Sequence, residues 1–379
     1  MSLSLCFDGA EVLRPDGLAH GPLAIDGGMI VPDCDGKRVD LSGYRILPGI
    51  VDIHGDGFER HLAPRRGAMK DMAGGLIAAE AELAANGVTT AVLAQFYSWE
   101  GGLRSPDFAA RMLEALGAVR GDVVTDLRAQ LRFETHMLED YAAFEAMVER
   151  FGVGYVVFND HVPHERLEAG RRPKRLNGTA LKSGRSPEAL LALMQALHGR
   201  QSEVPEAVGA LAARLAEKGV RLGSHDDCSE ADRAEWRACG VSIAEFPETA
   251  EAAQAARAGG DGIILGAPNV MRGGSHNGNV SALELITMGQ CDALASDYHY
   301  PSLRRAALFL VEAGVRDLAA SWALVSSGPA RLLGLEDRGS LDAGKRADLA
   351  VLDGYNRLCA TISGGRISYL SGDLAGRLI

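Results

Sequence analysis

The sequence lacks the features that mark a secreted, membrane-spanning or nucleic-acid-binding protein. Only six of its 379 residues are cysteines and none forms a C-x-x-C pair, so a zinc knuckle or a thioredoxin-like motif is not expected. No run of about 18 apolar residues suggests a spanning helix. The segment MSLSLCFDGAEVL has neither the basic nor the apolar part of a signal peptide. The net charge is −11, which argues against general binding to nucleic acid or to an anionic membrane.

What the sequence contains is typical of a globular protein with a sizeable core. Hydrophobic residues make up 47% and charged residues 23%. The 46 glycines suit many tight turns between strands and helices. Because the cysteines are scattered, we predict a reducing, cytoplasmic location.

Short apolar runs rich in Val, Ile and Ala alternate with helical patterns along the middle of the chain. Strands that alternate with helices indicate a parallel sheet, and eight such units favour a closed (β/α)8 TIM barrel. The predicted strands are 46–54, 88–95, 127–135, 153–160, 220–226, 241–247, 261–268 and 292–298. The predicted helices lie near 71–86, 105–120, 139–150, 203–218, 229–239, 249–258, 279–289 and 301–314.

The two ends of the sequence follow a different pattern, with short strand-like pieces broken by GG, PD and DG turns. We predict that they pair into one small β domain. The predicted organisation is therefore 1–45 as the first part of the β domain, 46–337 as the barrel, and 338–379 as the second part.

Residues that ligate metals collect where the predicted barrel strands end, which is where the active sites of such barrels lie. One histidine at a strand end is more often structural, but five strands ending in His or acid favour a metal site. Imidazole and carboxylate suit Zn, Mn, Fe or Ni, and six ligands suffice for two ions, which Glu134 could bridge. The predicted ligands are His54, Asp56, Glu134, His161, His225 and Asp297. Supporting or capping roles are expected for His136, Asp160 and Asp226, and Glu245 could be structural or support a ligand.

Several strings resemble a known family. LPGIVDIHGD (47–56), GVTTAVL (87–93) and GSLDAGKRADLAVLD (339–353) resemble the amidohydrolase superfamily. DIHGDGFERHLAPRRG (52–67), NDHVP (159–163), GSHDD (223–227), IAEFPET (243–249), GAPNVMRGGSHNGNVSA (266–282) and SDYHYP (296–301) resemble the PhnM-like α-D-ribose 1-methylphosphonate 5-triphosphate diphosphatases. This resemblance covers nearly the whole chain.

The resemblance implies a reaction in the carbon–phosphorus lyase pathway of phosphonate catabolism. Such an enzyme cleaves the 5-triphosphate between its α and β phosphorus atoms and yields 5-phosphoribosyl 1-methylphosphonate and pyrophosphate. It also implies two divalent metals, zinc first, and Asp297 as the catalytic residue that accepts a proton from the attacking water. The sequence departs from the family pattern at His136 and from His164 onward, which affects the loop that would face the substrate.

Three segments carry candidate substrate contacts. The Gly-rich turn RGGSHNGN (272–279) could present Arg272 and His276 to a phosphate, although most such turns are only turns. His61 and Arg65 could contact phosphate or face solvent. The basic segment 164–185 holds seven basic and two acidic residues, and Arg171, Arg172 and Arg175 could form a phosphate-binding lid rather than a solvated loop.

Two alternatives remain open at this stage. One is hydrolysis of an N-acyl or cyclic amide on the same barrel, with the metals polarising a carbonyl. The other is a non-catalytic binding subunit of a phosphonate enzyme complex. The expected partner is a small phosphorylated sugar phosphonate, with no nucleic acid and no membrane, and a homo-oligomer is compatible with the sequence.

Overall fold

A computed structural model describes residues 3–63, 71–273 and 280–378. The chain divides into two compact units. The first unit comprises Met1–Leu93, Ala118–Arg128 and Gly262–Ile379, and the second comprises Ala94–Gly117 and Ala129–Asp261.

Short strands form the N-terminal part of the first unit, and all of them except the third contribute buried apolar side chains. They are β1 (Leu5–Asp8), β2 (Glu11–Arg14), β3 (Gly17–His20), β4 (Leu23–Asp26), β5 (Met29–Val31), β6 (Lys37–Asp40) and β7 (Tyr44–Pro48). Four of them form a sheet in the order β5-β4-β1-β6. Leu5, Phe7, Ile25 and Val39 belong to the apolar core that this sheet covers.

The barrel strands follow in the chain and run parallel in sequence order within one eight-stranded sheet. They are β8 (Ile50–Gly55), β9 (Val88–Tyr97), β10 (Asp126–Glu134), β11 (Tyr155–Asn159), β12 (Arg221–His225), β13 (Ile243–Glu245), β14 (Gly262–Gly266) and β15 (Ala293–Ala295). An isolated parallel bridge joins Gly55, at the end of β8, to Asp297, just beyond β15. The predicted (β/α)8 barrel is thereby confirmed.

The C-terminal strands complete the β domain. They are β16 (Leu349–Asp353), β17 (Leu358–Ser363) and β18 (Arg366–Leu370). The second sheet has the order β18-β17-β16-β7-β2-β3, in which β16 pairs antiparallel with β7. Both ends of the chain therefore build this domain, as predicted.

The first predicted strand, 46–54, is two strands in the structure. Tyr44–Pro48 belongs to the six-stranded sheet, and Ile50–Gly55 begins the barrel. Gly49 separates them at a close approach, because a Cβ atom there would lie 2.3 Å from Thr89 Oγ1. Because only Gly49 separates the two strands, the apolar pattern runs on without a break and predicts one strand.

Helices connect the strands. They are α1 (Glu59–Leu62), α2 (Met72–Ala84), α3 (Pro106–Val119), α4 (Tyr141–Phe151), α5 (His164–Glu168), α6 (Leu176–Ser183), α7 (Pro187–His198), α8 (Val204–Glu217), α9 (Glu230–Ala238), α10 (Ala250–Ala258), α11 (Ala267–Arg272), α12 (Ala282–Thr287), α13 (Ser302–Glu312), α14 (Leu318–Ala323), α15 (Ser327–Leu332) and α16 (Asp373–Leu378). The predicted helices correspond to α2, α3, α4, α8, α9, α10, α12 and α13. Among the described helices, none has the length and apolar character needed to cross a membrane.

Candidate metal centre

The first and last barrel strands bring three predicted ligands to adjacent backbone positions in the first unit. His54, near the end of β8, is fully buried. The Asp297 amide donates to the His54 carbonyl oxygen at 3.0 Å, and the Asp56 amide donates to the Asp297 carbonyl oxygen at 2.8 Å. The chain turns here because Asp297 has left-handed backbone, with φ 54°, which Asp tolerates better than most residues.

A buried hydrogen-bonded pair holds these two strand ends together. Asp52 Oδ1 accepts from the Ser296 amide at 3.0 Å, and Asp52 Oδ2 accepts from the Ser296 hydroxyl at 2.6 Å. Burial raises the pKa of Asp52, and the hydrogen bonds from Ser296 oppose that rise. Since Asp52 lies two residues before His54 and Ser296 directly before Asp297, the pair fixes the backbone that carries both predicted ligands.

Glu134 and His161 form a second group of predicted ligands, in the second unit. Glu134 ends β10, is fully buried, and accepts from the His161 amide at 3.1 Å and from the Trp99 indole N–H at 3.2 Å. Its other oxygen makes a very short contact with His161 Nδ1. Burial alone would raise the pKa of Glu134, but the charge and hydrogen bonds of His161 outweigh burial and lower it. Glu100 joins them, and one ligand atom from each of the three lies within 4.8 Å of the others.

His225, at the end of β12, has its protonation state set by two buried partners in the same unit. Arg132 Nη2 lies 2.8 Å from His225 Nε2, and Glu245 Oε2 lies 3.2 Å from His225 Nδ1. Arginine can only donate, so Nε2 must accept and Nδ1 must carry the proton that Glu245 receives. Burial, followed by the charge of Arg132, lowers the pKa of His225. These contacts and the lowered pKa favour the neutral ring, with the lone pair of Nε2 directed at Arg132.

Glu245 is the centre of a buried hydrogen-bond network. Besides His225, it accepts from Gln130 Nε2 at 2.7 Å and from Tyr155 Oη at 2.6 Å. Glu245 is fully buried at the end of β13. These contacts give it a structural role, and its support of a metal ligand stays a prediction. Carboxylate partners of this kind fix the orientation and tautomer of metal-binding histidines.

Unfavourable backbone geometry is concentrated just beyond the barrel strands. Asp226 follows β12 with φ 63°, and Phe246 follows β13 with φ 54°. For a bulky residue such as Phe246 this conformation is a clear outlier. Strain of this kind persists at sites where the surroundings enforce it, which often have a function.

The predicted ligands in the first unit and those in the second unit are donors that fit divalent transition metals. They are imidazoles and carboxylates, which suit zinc and its neighbours. In the second unit, the lowered pKa values of Glu134 and His225 favour the carboxylate and the neutral imidazole that metal ligation requires. For His161, burial would lower the pKa, but the charge and hydrogen bond of Glu134 outweigh burial and raise it. The described residues thus contain groups suited to a metal.

The predicted substrate contacts differ in their surroundings. His61 Nε2 lies 2.6 Å from Glu82 Oε2, so a carboxylate already engages this ring. Arg272, at the end of α11, makes a very short contact with the Tyr298 hydroxyl and is exposed. Arg65 and His276 lie outside the described residues.

The basic segment 164–185 is partly helical, with α5 and α6 inside it. Arg171 and Arg172 are exposed and line a cavity of about 210 Å³. Arg175 is exposed at the start of α6. Arg172 Nη2 lies 3.8 Å from Glu188 Oε1, and Arg185 Nη1 donates to the Trp99 carbonyl oxygen at 2.9 Å. Arg185 thus connects the end of this segment to the chain beside Glu134.

Comparison with known proteins identifies the family. No family model matches the chain. The α-D-ribose 1-methylphosphonate 5-triphosphate diphosphatase of Escherichia coli (strain K12) is 33% identical over 329 residues, which span 83% of this chain and 85% of that protein. The chain belongs to this diphosphatase family. It is therefore a hydrolase, as the strings at the strand ends predict.

Solved structures confirm the fold of this member of the diphosphatase family. A variant of N-acetyl-D-glucosamine-6-phosphate deacetylase from Mycobacterium smegmatis is similar with a TM-score of 0.64 at 16% identity, covering 98% of this chain and 100% of that chain. A D-aminoacylase variant is similar with a TM-score of 0.61 at 12% identity, covering 98% of both chains. These similarities show the barrel fold alone and carry no argument about substrate.

Two features of the candidate site in this diphosphatase family member were missed by the sequence analysis. The first is Arg132, which is 5% exposed and donates to His225. The sequence around Arg132 does not show which distant residue it contacts. The Asp52–Ser296 pair was also missed. The only available signal was alternation, which puts Asp52 on the same side as His54, and Arg132 on the same side as Glu134.

Proposed function

We propose that this protein hydrolyses α-D-ribose 1-methylphosphonate 5-triphosphate to 5-phosphoribosyl 1-methylphosphonate and pyrophosphate in phosphonate catabolism. A water oxygen forms a bond to the α phosphorus. The bond from that phosphorus to the oxygen bridging to the β phosphorus breaks, and pyrophosphate leaves with that oxygen. The observation that carries the proposal is the 33% identity to the Escherichia coli diphosphatase over 83% of this chain.

We propose that the six predicted ligands hold two divalent ions, with zinc as the first candidate. The carboxyl ends of all strands of a (β/α)8 barrel open on one face, which supports a single site. The six ligands are His54, Asp56, Glu134, His161, His225 and Asp297. When bound, the ions would lower the pKa of water and neutralise charge on the phosphoryl oxygens.

The side chains have distinct proposed roles. Asp297 orients the water and takes its proton, which suits a carboxylate that is partly exposed at the end of the last strand. Arg272, His61, Arg171, Arg172 and Arg175 are proposed to bind phosphate oxygens together with Arg65 and His276. Glu245 keeps the ring proton of His225 on Nδ1, and a metal bound at Nε2 would replace the hydrogen bond from Arg132.

Hydrolysis of an amide is the weaker alternative. Proteins named as a deacetylase and an aminoacylase share the fold, but only at 16% and 12% identity. A fold hosts many reactions, so this likeness does not select a substrate. A cytoplasmic location is proposed alongside the reaction, supported by six free cysteines.

Phosphorus NMR of the reaction with the triphosphate tests the proposal. Equal amounts of pyrophosphate and of the 5-monophosphate are expected. Release of inorganic phosphate would mean that a different bond is cleaved. Unchanged triphosphate, together with turnover of an uncharged acyl amide, would replace the proposed function with the alternative.

The control is a variant that replaces an exposed histidine far in sequence from the candidate ligands. His20, at the end of β3, is exposed. His20→Gln should form pyrophosphate at the rate of the unaltered protein. A matching loss in this variant would show that the assay reports something other than the candidate site.

A further inference from the structure

A histidine cluster in the second unit consists of residues other than the ligands proposed above, although Asp160 directly precedes His161 and His136 lies two residues after Glu134. His136 follows β10, Asp160 follows β11, His164 begins α5 and His198 ends α7. Four different elements of the second unit thus bring three imidazoles and a carboxylate to one place.

The contacts in this histidine cluster centre on Asp160. Asp160 Oδ2 lies 3.0 Å from His164 Nε2, and Asp160 Oδ1 lies 3.4 Å from His136 Nδ1. The rings of His136 and His164 have centroids 4.7 Å apart. On its other side, His164 Nδ1 lies 2.7 Å from His198 Nδ1.

These separations match the spacing of donors around a small metal ion. One ligand atom each from His136, Asp160 and His164 lies within 4.8 Å of the other two. Two ligands of a tetrahedral zinc, each about 2.0–2.1 Å from the ion, lie roughly 3.3 Å apart. Each of the two histidines lies near that separation from a different oxygen of Asp160: His164 Nε2 is 3.0 Å from Oδ2, and His136 Nδ1 is 3.4 Å from Oδ1.

His136 is the buried member of the cluster. Its side chain is 4% exposed. Among the residues that the structure describes, its Nε2 has no hydrogen-bond partner. A buried imidazole nitrogen without a hydrogen bond is costly, and the nitrogen of His136 that faces Asp160 is the other one, Nδ1.

We propose that His136, Asp160 and His164 bind a zinc ion in addition to any ion at the centre described above. His198 is the outer partner of this site. When His164 binds through Nε2, its Nδ1 proton points to His198 Nδ1, as is usual for a metal-binding histidine whose second nitrogen donates to a fixed acceptor.

The proposed site opens on a cavity of about 390 Å³. The same three residues line it, together with Gln201, Glu235 and Trp236. Three protein ligands leave one tetrahedral position, which can hold a water molecule. Such an open position distinguishes the site from a closed structural zinc site with four protein ligands.

Zinc stoichiometry of the purified full chain tests the proposal. The protein is treated with a chelator, dialysed against zinc and analysed by mass spectrometry for zinc per chain. His164→Gln and Asp160→Asn should each retain about one zinc fewer than the unaltered chain. His20→Gln, which removes an exposed histidine, should retain the same amount as the unaltered chain.

Replacing His198, the outer partner, should weaken zinc binding without abolishing it. His198→Ala should keep the stoichiometry but bind this zinc about 10- to 100-fold more weakly. Asp160→Asn keeps the size of a half-exposed side chain, and circular dichroism checks its folding. Equal zinc content in the unaltered chain, His164→Gln and Asp160→Asn would overturn the proposal. The difference between variants is measured whether or not the protein hydrolyses the triphosphate.

Discussion

Replacing Glu245 by glutamine should reverse the tautomer of His225. The two Glu245 oxygens have separate tasks: Oε1 accepts from Gln130 and Tyr155 at 2.7 and 2.6 Å, and Oε2 accepts from His225 at 3.2 Å. Glutamine has one acceptor oxygen, which the two shorter bonds should retain. Its NH2 group then faces His225 Nδ1 and donates to it. The ring proton moves to Nε2, where it opposes Arg132 and blocks metal ligation.

The expected loss can be estimated from the bond that is removed. A hydrogen bond to a charged group contributes about 1.5–3 kcal/mol. Because about 1.4 kcal/mol corresponds to a tenfold change, the preference for the metal-binding tautomer should fall about 10- to 100-fold. This agrees with the usual effect of changing the outer partner of a metal ligand. Burial of the site keeps water from replacing the lost acceptor, since Glu245 is fully buried.

Two measurements address the Glu245→Gln variant. Nitrogen NMR of labelled histidine reports which ring nitrogen of His225 carries the proton, and calorimetry gives the metal affinity. Glu217→Gln, on the exposed face of α8, makes the same chemical change without a buried partner and should match the unaltered protein. If Glu245→Gln keeps the Nδ1 proton and the full metal affinity, the reasoning about the network is wrong.

Three further outcomes are expected. Asp297→Asn should lower kcat about 10²- to 10⁴-fold with little change in substrate affinity, because it removes the proposed proton acceptor; near-normal turnover in steady-state assays would contradict that role. Replacing Arg171, Arg172 and Arg175 together with Ala should strongly lower kcat/KM for the triphosphate, and lower ionic strength should partly restore it; unchanged kinetics would reject the lid. Burial would raise the pKa of Asp126, but neighbouring arginines outweigh burial and lower it. The ionised Asp126 side chain therefore stabilises the fold above its unfolded pKa of about 3.9, and this stabilisation is lost as the pH falls through the lower folded pKa. In urea unfolding, the free energy of unfolding of Asp126→Asn should therefore fall less on acidification than that of the unaltered protein. If the free energies of the two proteins change with pH in parallel, Asp126 does not make this contribution.

Much of the barrel could be predicted because its strands are short apolar runs with clear boundaries. The predicted 88–95 and 261–268 overlap β9 and β14. The predicted 241–247 is longer than Ile243–Glu245, since flanking residues that fit a strand pattern leave the sheet at Phe246, where φ is 54°. Apolar patterning reports burial, and it does not report where hydrogen bonding between strands stops.

The helix α7 was missed although its start has a clear local signal. Ser186 caps it by accepting from the Ala189 amide, and Pro187 occupies the first turn. Ser followed by Pro and then by spaced apolar residues favours a helix start. The preceding basic segment, 164–185, is interpreted from the sequence as a lid or a solvated loop, and no helix is predicted directly after it.

The candidate site was less accessible to sequence reasoning than the fold. Strand ends could be read locally, so the predicted ligands came from single positions. The partners could not be read in this way, because Arg132 and His225 lie 93 residues apart and Asp52 and Ser296 lie 244 apart. Alternation can assign a side chain to a face, but the register between distant strands decides which residues meet.

The pairing of β7 with β16 affects how the chain can fold during synthesis. Arg45 donates to Asn356, a partner 311 residues later in the chain. Until that later segment leaves the ribosome, one edge of β7 has no neighbour, and an unpaired edge can recruit another chain. Chains truncated before β16 should therefore aggregate even when the preceding barrel segments are intact. The small domain therefore cannot be completed before β16 has been translated.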